Sequence, residues 1–270
     1  MLHTITANET GATTNLLQDY ESILRSFRTI FLSEMDSVQL FNRRVSKYIL
    51  PTDRVGQLLD YAENHFSVLQ IGDLRMADYE TLYYDQEKFA SYHDHINGKL
   101  IRCKVRRRSY LNSNDHFLEI KHKFNTGQTQ KSRIPIDIDN REWIGEACNF
   151  THENARIDFL SLSPVLKNRF KRITLVDFEK TQRITIDLNI TFLLPDEIGF
   201  RRLENMSIIE IKQEKYMRSQ LCAFFHENGF KNLGISKYCL GMSMLYPELK
   251  ANGYKKKYLY IKKITGYGIV

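Results

Sequence analysis

Four short stretches of the chain alternate apolar and ionisable side chains with the two-residue period of a β-strand. They are 102–110 (RCKVRRRSY), 117–124 (FLEIKHKF), 183–192 (RITIDLNITF) and 208–212 (IIEIK). Residues two apart in a strand share a face. Arg102, Lys104, Arg106, Arg108 and Tyr110 therefore project together. Glu119, Lys121 and Lys123 oppose Leu118, Ile120, His122 and Phe124. Arg183, Thr185, Asp187 and Asn189 oppose Ile184, Ile186, Leu188 and Ile190, and Glu210 and Lys212 oppose Ile209 and Ile211.

A solvated outer face explains any one of these strands. Four together ask for more. Arginines on alternate positions repel one another unless an anion or an acid sits opposite, and unpaired charge is too costly for a dry core. A sheet curled around a wet channel satisfies both, with its apolar side chains turned outward under helices. Such a channel suits a phosphate chain: Arg offers forked donors and Lys offers point charges.

The remaining pattern predicts the elements around it. Leu16, Leu17, Tyr20, Ile23, Leu24, Phe27, Ile30 and Phe31 fall at helical spacing and predict an N-terminal helix over about 15–40. Strands are predicted at 41–50, 79–85, 99–111, 116–124, 131–136, 169–178, 181–193 and 206–213. Helices are predicted after a Thr52 or Asp53 cap, and at 86–95, 217–227 and 236–246, while 140–166 reads as helical or irregular. Turns at 112–115 (NSND) and Glu179-Lys180 join strands as hairpins. This is an α+β pattern with an antiparallel sheet.

Composition narrows the partners. The 270 residues are 42% hydrophobic and 26% charged, which predicts a folded soluble protein rather than a disordered one. The net charge of +7 favours an anion, and Arg102–Arg108 is the densest basic patch. Tyr110 is the one aromatic assigned to that patch, which argues against RNA. The four cysteines lack CxxC or zinc spacing and read as reduced thiols. No signal-peptide pattern opens the sequence, and no apolar stretch approaches the ~18–20 residues that span a bilayer. The expected location is cytoplasmic, with any membrane association made through a partner. Gly229 and Gly234 have P-loop spacing, but Ile235 stands where a Lys is required. His93-Asp94-His95 reads as a surface turn, and Lys255-Lys256-Lys257 as a solvated surface within a basic tail over about 250–270.

Several ordered motifs resemble the VTC (vacuolar transporter chaperone) domain, a polyphosphate polymerase within the triphosphate tunnel metalloenzyme superfamily. The resemblance runs from about Phe41 to Gly241. Phe41-x-Arg43-x-x-x-Lys47-Tyr48 resembles the first tunnel strand, with its basic residue at Lys47; Tyr83-Tyr84-Asp85 resembles the "YFD" strand. Arg106-x-Arg108-x-Tyr110 resembles the paired tunnel arginines, followed by Glu119-x-Lys121 and Lys131-x-Arg133. Arg172, Arg183-x-x-x-Asp187, Glu210-x-Lys212 and Ser236-Lys237-Tyr238 complete the series. The chain departs from the pattern in two places. Tunnel triphosphatases begin with Glu-x-Glu-x-Lys, whereas this chain has Arg43-Arg44-Val45-Ser46-Lys47, without either carboxylate. Gly234 stands where the polymerase pattern often has a second Lys.

The resemblance implies a single tunnel domain over 1–270, an antiparallel β-barrel of roughly eight strands with helices outside. It implies transfer of the ATP γ-phosphate to a growing polyphosphate chain. Arg106, Arg108, Lys121, Arg172 and Arg183 would act at the transferred group. Lys47, Lys131, Arg133, Lys212, Lys237 and Tyr110 would complete the cradle. Glu210 would hold Mn²⁺ or Mg²⁺, with Glu119 or Asp187 as a further ligand. The implied partners are ATP and inorganic polyphosphate, with a membrane-protein partner for product export and no nucleic acid. A metal-dependent tripolyphosphatase or nucleoside triphosphatase, and a non-catalytic polyphosphate- or nucleotide-binding module, are the alternatives.

Overall fold

The computed structural model describes residues 7–37, 43–214 and 219–266. Its strands in chain order are β1 (Arg28–Phe31), β2 (Arg43–Leu50), β3 (Phe66–Gln70), β4 (Ala77–Asp85), β5 (Arg102–Tyr110), β6 (Asp115–Lys123), β7 (Thr129–Pro135), β8 (Ser163–Asp177), β9 (Gln182–Leu193), β10 (Phe200–Arg202) and β11 (Ser207–Glu214). The helices are α1 (Ala7–Leu24), α2 (Val55–Ala62), α3 (Ala90–Ile96), α4 (Trp143–Ala155), α5 (Gln220–Glu227), α6 (Lys237–Leu245) and α7 (Lys255–Thr265).

Eight strands form one antiparallel path, β2-β11-β9-β8-β4-β5-β6-β7. The sheet curls into a half-barrel with helices around it, as the alternation predicts. Its edge strands β2 and β7 do not pair with each other among the described residues, so the barrel stays open along one seam. β1 pairs in parallel with β3, which extends the sheet beside β8.

The apolar face of each strand lies outside under helices. Tyr48, Leu50, Ile173, Leu175, Ile184, Ile186, Ile209 and Ile211 pack with Tyr20 and Leu24 of α1, Leu58 and Leu59 of α2, and Leu221 and Phe225 of α5. Val105, Leu118 and Ile120 pack with Ala147 and Phe150 of α4. Full burial of each such side chain is worth about 1.5–3 kcal/mol. A third core closes one end of the half-barrel. There Tyr83, Phe170 and Phe192 meet Tyr238 and Leu240 of α6 and Tyr254, Tyr258 and Ile261 of α7. A Cβ on Gly241 of α6 would come within 2.6 Å of the Phe192 ring and 2.8 Å of Leu166, so only glycine lets this helix sit so close.

Two local devices hold this end and the opposite hairpin. Buried Asp85 accepts from the backbone N–H of Gln86 (2.8 Å), Ser91 (2.9 Å) and Tyr92 (3.1 Å), and from the Tyr238 hydroxyl. It thus ties the end of β4 to α3 and α6. Asp177 accepts from Thr181 Oγ1 (2.5 Å) and the Gln182 N–H (2.6 Å) around Lys180, whose φ is 58°. This is the β8–β9 turn expected at Glu179-Lys180.

Several expectations need correction. The first helix ends at Leu24, and Ile30 and Phe31 lie in β1, which buries Ile30 and leaves Phe31 exposed. Residues 38–42, included in the predicted first helix and strand, lie outside the described residues. Thr52 and Asp53 sit in a 3-10 turn after Pro51, and Arg54 occupies the α2 N-cap with no side-chain bond. Ile190 does not share a face with Ile184, Ile186 and Leu188. A bulge at Asn189 (φ 51°), opposite a register shift between Arg169 and Lys171, turns Ile190 and Phe192 to the inner core. His93 and His95 lie on α3 rather than in a turn, and the basic tail forms α7.

Candidate active site

Cross-strand register assigns the inner face. Lys47 pairs opposite Glu210, which lies opposite Thr185; Lys212 lies opposite Arg183, and Arg172 opposite Asp187. Tyr83 lies opposite Arg106, Arg106 opposite Glu119, and Glu119 opposite Arg133. Lys104, Lys121 and Lys131 form the next row. Burial, and then Lys47 of β2, push the Lys121 ammonium of β6 down to about 7. These strands are six steps apart in the sheet order. In a flat sheet they would be about 29 Å apart, so the interaction between them measures the curl. Lys121 itself is open to the channel although protein surrounds it.

Two buried carboxylates organise the arginines. Glu119 is 1% exposed and accepts from Arg106 Nε at 2.8 Å and Nη2 at 2.7 Å, and it also pairs with Lys131. Burial alone would raise its pKa. Arg106, Arg108 and Lys131 overcome that and hold it well below the carboxylate range. Burial would lower the Arg106 pKa, but Glu119 holds it above its ordinary value. Asp187 is 2% exposed and accepts from Arg172 Nε at 2.6 Å and Nη2 at 2.8 Å, and from Lys237 at the start of α6. Against the effect of burial, Arg172 and Lys237 bring Asp187 down to about 2. Glu210 bridges Lys47 (3.1 Å) and Lys212 (3.0 Å), is 22% exposed, and is likewise held well below its usual range.

Arg108 differs from Arg106 and Arg172 on the same face. Its Nε is buried with no hydrogen bond and lies 3.9 Å from Glu119. Burial and then Arg106 depress its pKa. Tyr79 stacks on Phe170 beneath Arg172, whose guanidinium lies 5.0 Å from both rings. Arg133 covers Phe117 at 4.8 Å, and Tyr110 packs between Tyr79 and Phe117 at the rim.

The structure therefore brings Lys47, Arg106, Arg108, Lys121, Lys131, Arg172, Arg183, Lys212, Lys237, Glu119, Asp187 and Glu210 onto one lined face, with Arg133 and Tyr110 at its edge. Lys104 belongs to the set although the motif series passes over it; its place in the 102–110 alternation is the signal. Tyr79, Phe117 and Phe170 correct the assignment of Tyr110 as the lone aromatic. On the outer face, by contrast, Lys171 pairs with Asp78 and Arg169 with Glu80 and Glu197.

The lysines make stability depend on pH. Burial brings Lys104 to about 8 against Cys239, Lys237 to about 8 against Asp187, and Lys131 to about 8 against Glu119, while burial and then Lys47 bring Lys121 to about 7. Between these values and the ordinary 10.5, the unfolded chain binds more protons than the folded one. Stability then rises with pH. The free protein is expected to gain stability from about pH 8 to about pH 9.5 in urea titrations. Above that the trend reverses, because buried Tyr20 and Tyr258, raised to about 12, keep protons that unfolded tyrosines lose. A flat profile over the first interval would show that these lysines keep their ordinary affinity for protons.

The family model for the VTC domain matches residues 42–246. The chain belongs to the VTC domain family. That match spans β2 to the end of α6 and contains every carboxylate assigned to the lined face. No curated protein sequence matches the chain. Among solved structures, a proposed adenylate cyclase from Bacillus halodurans is 9% identical, with 76% of this chain and 100% of that chain covered at a TM-score of 0.51. A proposed adenylyl cyclase from Hippeastrum, described as having a dominant triphosphatase activity, is 18% identical, with 74% and 94% covered at a TM-score of 0.49. The Bacillus halodurans likeness supports the fold alone. Within the described residues of this VTC-domain chain, no helix is long and apolar enough to cross a membrane.

Proposed function

We propose that this VTC-domain protein is a polyphosphate polymerase. The terminal oxyanion of a polyphosphate chain attacks the γ-phosphorus of ATP. The bond from that phosphorus to the β–γ bridging oxygen breaks, and ADP leaves with the oxygen. The nucleophile is already ionised, so the step needs no general base. Positioning and charge neutralisation carry it.

The observation that supports polymerisation over hydrolysis is the state of the carboxylates. Glu119, Asp187 and Glu210 are each paired with at least two cations. Carboxylates engaged in this way have few acceptor sites left to orient a water, whose attack would make a triphosphatase. The β2 sequence also has Arg43 and Val45 where the triphosphatase pattern has acids, and keeps its lysine as Lys47, which joins the lining.

In this reading Arg106, Arg108, Arg172 and Arg183 hold the triphosphate oxygens, each charge-assisted bond contributing about 1.5–3 kcal/mol. Lys47, Lys121, Lys131, Arg133, Lys212 and Lys237 extend the cradle, and Tyr110 borders it. No group of three His, Cys, Asp or Glu able to hold a metal is found among the described residues. Mg²⁺ or Mn²⁺ carried on phosphate oxygens needs only one or two carboxylates. Glu210 fits that need: it is 22% exposed, against 1% for Glu119 and 2% for Asp187, whose oxygens are taken by cations. The ion would neutralise charge on the phosphates. We assign Glu119 and Asp187 as counter-ions to the arginines.

The test is incubation of the purified protein with ATP and Mn²⁺ or Mg²⁺. Products are separated by gel, digested with a polyphosphate-specific phosphatase, and assayed for ADP and free phosphate. ADP with long, digestible chains is expected. Free phosphate without polymer would mean a triphosphatase, and binding without turnover a recognition module.

A further inference from the structure

The outer face of α7 carries charge that its own fold does not use. Tyr254, Tyr258, Ile261 and Thr265 are buried against the core, and Lys257 turns inward to the Gly234 carbonyl. Lys255, Lys256, Lys262 and Lys263 are exposed. At 3.6 residues per turn they fall within an arc of about 120°. Leu259, 60% exposed, lies at the centre of that arc. The helix contains no acid. Lys231, also exposed, joins from the segment before α6, where its N–H donates to the Tyr260 hydroxyl at 2.8 Å. Among the described residues none of these five lysines forms an ion pair.

Solvation explains an exposed lysine, but not where these stand. Lys262 and Lys263 suit the last turn of a helix, where the dipole is negative. Lys255 and Lys256 occupy the first turn, where the dipole is positive and cations are unfavourable. Leu259 leaves its apolar surface in water among them. An anion outside the chain would offset the first cost, and an apolar layer beneath that anion would offset the second. A bilayer with acidic headgroups supplies both. Polyphosphate supplies charge alone. A nucleic acid would want an exposed aromatic to stack a base, and the arc has none. It also has no arginine, whose fork fixes a single phosphate.

We infer that the outer face of α7, with Lys231, is a docking surface for an anionic lipid bilayer. The helix lies on the surface by charge, because its apolar side is already packed on the core, and Leu259 enters the headgroup layer. α7 covers the closed end of the half-barrel, so docking turns that end toward the bilayer. This contact goes beyond the reaction assigned to the channel and does not depend on it.

The test is co-sedimentation of the full chain with vesicles of phosphatidylcholine, alone or with about 30% phosphatidylserine, at low and high salt. Binding is expected to the acidic vesicles only, and to fall as salt rises. Lys262→Gln/Lys263→Gln should weaken it about 25-fold, at about fivefold for each lysine. Lys262→Arg/Lys263→Arg should keep it, and Leu259→Gln should weaken it without changing its salt dependence. Arg25→Gln/Arg141→Gln removes the same charge from exposed sites beside α1 and α4, and should change binding less than about threefold. Equal losses in the two Gln pairs, or no loss in Lys262→Gln/Lys263→Gln, would overturn the assignment. So would a Lys262→Gln/Lys263→Gln protein that loses binding to duplex DNA or polyphosphate and keeps its binding to vesicles. Saturating tripolyphosphate should leave vesicle binding intact; its loss would place the lipid contact in the channel and not on α7.

Discussion

Asp187→Asn is expected to cost the free protein about 3 kcal/mol and to recover much of that when tripolyphosphate is added. Asp187 is the buried counter-ion of both Arg172 and Lys237. The amide keeps the shape and removes the charge. Arg172 stays protonated, and Lys237, already down at about 8, is pushed further toward its neutral form. Breaking a buried pair by removing one partner costs about 3–5 kcal/mol. Arg172 retains 17% exposure, which places the loss at the low end. A bound polyanion supplies the missing charge. At 100 times its Kd a ligand stabilises by about 2.7 kcal/mol, and the variant should gain more than the unsubstituted protein at equal concentration. The gap between the two proteins should also close in acid. Asp187 titrates at about 2 when folded against an ordinary 3.8, so its contribution is complete above 3.8 and lost as pH falls through 2. Denaturant titrations with and without tripolyphosphate test this. A variant that tripolyphosphate does not rescue would show that Asp187 serves the sheet and not the charge of the channel.

The lined face was legible from the sequence because it is written in period two. Arg106, Arg108, Glu119, Lys121, Glu210 and Lys212 all lie on regular strand, where alternation alone assigns the face. Alternation failed at Asn189, where a residue with φ 51° adds a bulge and exchanges inside for outside; an Asn tolerates that geometry without announcing it. It also failed to show that the barrel is open at β2 and β7, because closure depends on curvature summed over eight strands. The counter-ion roles of Glu119 and Asp187 were hidden for a similar reason. Period two gives the face of a carboxylate but not which cations reach it, and Lys237 arrives from a helix 50 residues further along the chain. Lys257 had no signal at all. In sequence it belongs to a run of three lysines, and only the packing of Tyr254, Tyr258 and Ile261 turns it inward while Lys255 and Lys256 stay exposed.

Arg108→Met should separate catalysis from folding. The side chain is 9% exposed, and its Nε meets no acceptor, since Arg106 takes the near oxygen of Glu119 at 2.8 Å and leaves Arg108 at 3.9 Å. Burial and repulsion from Arg106 make this charge unfavourable in the free protein. Methionine has a similar length and no charge, so stability is expected to stay level or rise by about 1 kcal/mol. Activity should move the other way. The unfilled donor lies in the same array as Arg106 and Arg172, where charge on the transferred phosphoryl group would develop. Loss of one preorganised donor at such a position costs about 10²–10³ in kcat. Arg106→Met makes the contrast, because it removes the principal partner of Glu119 and should lose stability together with activity. ADP release under single-turnover conditions and urea denaturation, measured on both variants, decide the matter. An Arg108→Met protein that retains activity within about twofold, or that unfolds as readily as Arg106→Met, would remove Arg108 from the phosphate site. Stability kept and activity lost would mean that the chain holds a buried cation at some cost to its own fold, for an anion that arrives only with the substrate.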